Sequence, residues 1–153
     1  MQIFAASYLV PVATPPLAGG GMLVDNGRIV AIGTLQELKA RHDLPVTHFS
    51  GCALIPGFVN AHSHLELTHF PSWRIRKGVD YSPRTYSDWV IQLIKIRRAL
   101  SADERASSLR EGLRISLESG TTTLGEIVSD PALLPLYLAT PVSGRLFFEI
   151  LGH

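Results

Sequence analysis

The chain has 153 residues, 46% of them apolar and 18% charged, so it can bury a core and is not a disordered segment. Fourteen Lys and Arg against thirteen Asp and Glu leave a formal charge of +1, which gives no cationic field for nucleic acid and no strong pull toward an anionic membrane. A single cysteine, Cys52, excludes an internal disulfide and a thiolate zinc cluster, so a cytoplasmic setting is the expectation.

From the N-terminus, Ile3 to Val12 is apolar, but no basic residue precedes it and Pro11, Pro15 and Pro16 interrupt it; it reads as a strand, not a signal or an anchor. A Pro/Gly-rich loop from Ala13 to Gly21 follows. Met22 to Val24 and Arg28 to Ile32 then flank Asp25-Asn26-Gly27, and an Asn-Gly pair accepts the positive φ angles of a tight hairpin. Thr34 and Glu37 have capping-box spacing, which predicts a short helix from Leu35 to about Arg41 with Leu35 and Leu38 turned inward. Val46 to Phe49 is another short strand. Residues 1–52 therefore read as a portion of a β-sandwich.

The composition shifts at residues 52–61, where an apolar run with a buried look is broken by Pro56-Gly57 and leads into His62-Ser63-His64. The second domain is placed at 53–153. Leu67 to Arg84 shows no clear period and reads as a long functional loop. Trp89, Val90, Leu93, Ile94, Arg97 and Leu100 make a helical stripe that starts near Ser87 and Asp88. A second helix opens on the Ser101/Glu104 capping box, carries Ala106, Leu109, Leu113 and Leu117 on its apolar side and stops at Gly120. Thr121 to Val128 is a strand, Asp130-Pro131 opens a short helix to about Leu138, and Arg145 to Leu151 is a strand again. This is the order of parallel βα units in an α/β domain.

Side chains at i and i+2 of a strand share a side, so His62 and His64 present two imidazoles at a spacing suited to one metal ion. Two polar residues at a strand end would look the same. Their place at the C-terminal end of a parallel strand, where α/β folds gather their chemistry, favours the metal.

Around that pair, Pro56-Gly57-Phe58-Val59-Asn60-Ala61-His62-Ser63-His64-Leu65 resembles the first barrel strand of the amidohydrolase superfamily, in its cytosine-deaminase-like and chlorohydrolase-like branch. The hairpin over residues 25–33 is similar to that family's N-terminal β-sandwich signature, and Gly120-Thr121-Thr122-Thr123 resembles the start of its second barrel strand. The resemblance implies a composite, urease-like sandwich followed by the first strands of a (β/α)8 TIM barrel. It makes His62 and His64 ligands of one divalent metal, zinc in preference to iron, which lowers the pKa of a water for hydrolysis of a non-peptide C–N bond. The implied substrate is a small amino-substituted heterocycle or nucleoside, with a homo-oligomer as an open option. The family's later ligands, two histidines and an aspartate, have no counterpart here. A full barrel takes about 250 residues, so the chain is expected to be an N-terminal fragment holding about three βα units and half a metal site. A cyclic-amide or carbon-halogen hydrolase of the same fold is the alternative chemistry; a non-catalytic fragment is the alternative to an enzyme.

Other residues divide between functional and structural readings. Glu66 contacts substrate, as the likeness of His64-Leu65-Glu66-Leu67 to deaminases of the aminodeoxyfutalosine type implies, or pairs with Arg74 or Arg76. Trp73, Arg74, Arg76 and Lys77 cover the mouth and bind a heterocycle with a polar tail, or form a solvated basic loop with Trp73 packed on the barrel. His69 is a substrate or metal contact or a plain loop histidine. Glu126 and Glu149, each in an apolar strand, line the pocket or hold an interior hydrogen bond. Asn60 and Thr122 are candidates for orienting the histidine rings. Asp88 and Glu118 have ordinary helix positions, and His153 ends the chain.

Overall fold

The structure, a computed structural model, describes residues 1–78 and 85–149. It divides into two compact units, Met1–Pro56 and Gly57–His153.

In the first unit, strand β1 (Gln2–Leu9) buries Ile3, Ala5, Ala6 and Leu9 at the middle of a five-stranded sheet. It pairs antiparallel with β2 (Leu17–Ala18) and β3 (Gly20–Asp25) and parallel with β5 (Val46–Leu54), while β4 (Arg28–Thr34) completes the hairpin with β3. Asn26 and Gly27 take φ angles of 46° and 75°, as the turn requires. Helix α1 (Leu35–Arg41) has both halves of its capping box and places Leu38 against Ile3 and Leu23. Two extents differ from expectation. β1 stops at Leu9, because Val12 turns to a positive φ of 70° beside Pro11, which has no N–H for the ladder. β5 continues past Phe49 to Leu54, because Tyr8 and Leu9 offer it a parallel partner at Ala53 and Leu54.

The second unit is built on a parallel sheet in the order β6 (Phe58–Ser63), β7 (Thr121–Val128), β8 (Ser143–Phe148). Its helices are α2 (Phe70–Arg76), α3 (Tyr86–Arg98), α4 (Ala102–Glu118) and α5 (Leu134–Leu138). Leu109 and Leu113 of α4 pack with Leu124, Val128, Leu133 and Tyr137, whereas Leu117, at the end of the expected stripe, is exposed. Ser108, Gly112 and Ser116 are also buried on α4, a face of small residues that an apolar pattern does not reveal.

The expected long loop over Leu67 to Arg84 is not one. A 3-10 turn (Leu65–Leu67) and helix α2 occupy its first part, and residues 79–84 lie outside the described residues. The helix forms because Pro71 suits a first turn and Trp73 has a core to enter, with Ile96 and Leu100. α3 is capped by Thr85, upstream of the expected Ser87-Asp88 start; its hydroxyl accepts the Asp88 N–H. β8 begins at Ser143, and Ile150 and Leu151, also assigned to that strand, are outside the described residues. The apolar run leading to the histidines is exposed at Phe58 (55%) and Val59 (68%), since among the described residues β6 is hydrogen-bonded on one side only.

Candidate metal and substrate site

Strand β6 ends at Ser63, so His62 is its penultimate residue and His64 lies just past its C-terminal end. The two imidazoles stand with ring centroids 5.2 Å apart and planes inclined by 70°. His62 is exposed and His64 half-buried. Among the described residues, no third His, Cys, Asp or Glu joins them to make a metal-sized cluster. Two adjacent imidazoles nevertheless match the nitrogen-donor chemistry that zinc accepts, so the donors present fit a divalent metal as part of a ligand set.

Beside the pair lies a buried carboxylate. Glu126 of β7 has no solvent exposure; its Oε2 accepts the Ser63 hydroxyl at 2.5 Å, and its Oε1 accepts the Leu65 N–H and the Tyr137 hydroxyl, each at 2.7 Å. This is the interior hydrogen-bond role for Glu126. Burial and the bond to Glu126 hold the Tyr137 phenol well above its ordinary pKa.

Glu66 is placed differently. β6 has already ended, so Glu66 is carried by the 3-10 turn, where it is buried at 3% exposure with neither carboxylate oxygen hydrogen-bonded. Its ionic neighbour is Arg97 of α3 at 3.6 Å, not Arg74 or Arg76; Arg97 also lies 3.9 Å from Glu149, just beyond β8. Burial raises the Glu66 pKa, and the Arg97 guanidinium and the Ser129 backbone offset only part of that. Glu66, Arg97 and Glu149 thus meet at the C-terminal ends of the parallel strands.

Trp73, expected over the mouth or packed on the barrel, is 1% exposed and packs with Ile96 of α3 and with Leu100. Arg74 is half-buried on the same helix, and Arg76 pairs with Glu104 at 2.9 Å. Lys77 donates to the Ala99 carbonyl. His69 stacks edge-on against Trp73 and lines a cleft with Ser72, Arg76, Asp103 and Glu104 that does not include the histidine pair. Asn60 bonds the His62 backbone N–H at 3.2 Å, not a ring. Thr122 sits against Gly57, at the opposite end of β6 from the histidines, so it cannot orient them. Glu118 pairs with Arg114, and His153 is outside the described residues. Sequence reasoning missed Ser63, Arg97 and Tyr137 as site residues. Ser63 stood between the histidines, but the other two became legible only when the fold brought their helices to the strand ends.

Residues 20–43 match the imidazolonepropionase-like composite domain of bacteria. The chain is 26% identical over 133 residues to an adenosine deaminase of Helicobacter pylori, covering 86% of this chain and 30% of that protein. The crystal structure of H. pylori aminofutalosine deaminase with methylthio-coformycin superposes with a TM-score of 0.80 at 24% identity, covering 99% of this chain and 36% of that one. A zinc-bound adenosine deaminase from Xanthomonas campestris gives a TM-score of 0.65 at 26% identity, covering 86% of this chain and 30% of that one. The fold is that of the amidohydrolase superfamily, a composite N-terminal sheet and part of its barrel, and the chain's relatives there include deaminases. The chain spans less than a third of the length of the curated relatives it matches.

Proposed function

We propose that this chain contributes two metal ligands, His62 and His64, and a substrate-facing carboxylate, Glu66, to a metal-dependent deaminase of an amino-substituted heterocycle or nucleoside. The observation that carries this reading is the pair of adjacent imidazoles at the end of β6, followed on the next turn by a buried carboxylate without hydrogen bonds. The deaminase relatives, one solved with zinc and one with methylthio-coformycin, support it. The first unit would form the sandwich portion and the second the barrel portion of a protein acting in the cytoplasm; no helix of the described residues is long and apolar enough to cross a membrane.

A divalent metal, zinc in preference to iron, would supply Lewis acidity that brings a water's pKa toward neutrality. The chain's own residues do the rest of what can be assigned to it. His62 and His64 offer ring nitrogens. Glu66, buried beside Arg97 with no hydrogen bond on either oxygen, takes N–H or O–H donors of the substrate, whose arrival supplies the hydrogen bonds that the carboxylate lacks. Arg97 keeps that carboxylate oriented and has Glu149 as a second anchor. Arg74, half-buried on α2, is the further substrate contact in this reading.

Full-length protein loaded with zinc tests the proposal. His62→Ala with His64→Ala is expected to abolish metal binding and the release of ammonia from adenosine-type nucleosides. Glu66→Gln is expected to keep the metal and to lower kcat/KM at least tenfold. A double-histidine variant that retains its zinc refutes the ligand assignment; hydrolysis of cyclic amides or carbon-halogen bonds in place of deamination moves the protein to the alternative chemistry.

A further inference from the structure

His64 lies outside the strand ladder that fixes His62. β6 closes at Ser63, its pairing with β7 is irregular between Asn60 and Ser63, and His64 has φ −132° and ψ 69°, away from both strand and helix. What holds it is on either side. Ser63 donates its hydroxyl to one oxygen of Glu126, Leu65 donates its backbone N–H to the other, and Tyr137 from α5 occupies the second oxygen as well. One carboxylate on the neighbouring strand therefore grips both residues that flank the histidine.

We propose that Glu126 is a positioning residue that sets the direction of the His64 ring by clamping Ser63 and Leu65. No cation pairs with Glu126 among the described residues, and a buried carboxylate so placed is costly unless fully hydrogen-bonded; Leu124 and Val128, on the same face of β7, show what the core would otherwise place there. Three donors offset that cost, and two of them belong to the segment containing His64. An apolar residue would fill the volume without reaching either donor. The inference rests on His62 and His64 being metal ligands, and the test separates the two claims.

Zinc affinity of the full-length protein is measured by chelator competition, with the absorption spectrum of the cobalt-loaded protein as a report on ligand geometry. Glu126→Ala is expected to weaken zinc at least tenfold, in the range found when groups supporting a metal ligand are removed, and to shift the cobalt spectrum. Glu126→Gln is expected to stay within about threefold of wild type and to restore the spectrum, since its carbonyl can accept from Leu65 while its amide donates to the Ser63 hydroxyl. Glu126→Ala that melts cooperatively and binds zinc like wild type overturns the proposal, as does Glu126→Gln impaired to the same degree as Glu126→Ala. If Glu126→Ala does not fold, Ser63→Ala carries the test: a several-fold loss of zinc affinity with a shifted cobalt spectrum supports the clamp, and wild-type behaviour overturns it. Retention of zinc by the double-histidine variant defeats the ligand assignment and this inference together. Loss of zinc there, beside unchanged affinity in Glu126→Ala, defeats this inference alone.

Discussion

Glu66 and Glu126 are both buried carboxylates, yet Glu126 has three donors on its oxygens and Glu66 has none. Their substitutions should therefore differ. Tyr137→Phe takes one donor from Glu126 while keeping the packing of the ring, and should destabilise the fold by about 1 kcal/mol in urea titration. Glu66→Gln gives up the ion pair with Arg97 but also relieves the desolvation of a buried charge, so the two effects oppose each other and its net change in stability should be the smaller. Trp73, at 1% exposure, is a third case. Truncation to Ala empties a site bounded by Ile96 and Leu100 and should cost about 3 to 5 kcal/mol, a loss read in stability before any change in substrate affinity.

Helices α1 and α4 each begin with a complete capping box, Thr34 with Glu37 and Ser101 with Glu104. Ser101→Ala should cost about 1 kcal/mol. The Ser101 backbone N–H, and then Arg76, hold the Glu104 carboxyl below its ordinary pKa. A depressed carboxylate stabilises the fold above its unfolded-state pKa, and that contribution disappears as pH falls through the lowered value. The deficit of Glu104→Gln against wild type should thus be present at neutral pH and vanish in strong acid, as thermal melts across that range will show. These boxes, the Asn26-Gly27 turn and β7 were legible in the sequence because each is dictated by neighbours within a few positions. The histidine pair was legible for the same reason. The partnership of Glu66 with Arg97 was not, since it joins residues from different elements, and helix α2 was hidden because its anchor Trp73 is buried by residues more than twenty positions away. Gly112, in the middle of α4, is held to glycine by a close approach. A Cβ there would come within 2.5 Å of the Thr68 hydroxyl and 2.9 Å of Leu65, so Gly112→Ala, normally a gain in helix propensity, should destabilise.

Each of the two units has its own buried cluster, Ile3 with Leu23 and Leu38 in one and the set around Leu109 and Tyr137 in the other. The parallel sheet of the second leaves Phe58, Val59, Phe147 and Phe148 at half exposure or more. Produced as residues 1–153, the chain should self-associate, visible as a mass that rises with concentration in light scattering, and Val59→Lys should shift it toward the monomer. The clamp around His64 has a consequence for biosynthesis. Every group in it falls between residues 63 and 137, on elements that are sequential along the polypeptide. On the ribosome, every group that holds Ser63 and Leu65 has therefore emerged once Tyr137 has, so this stretch can take its shape without waiting for any later part of the polypeptide.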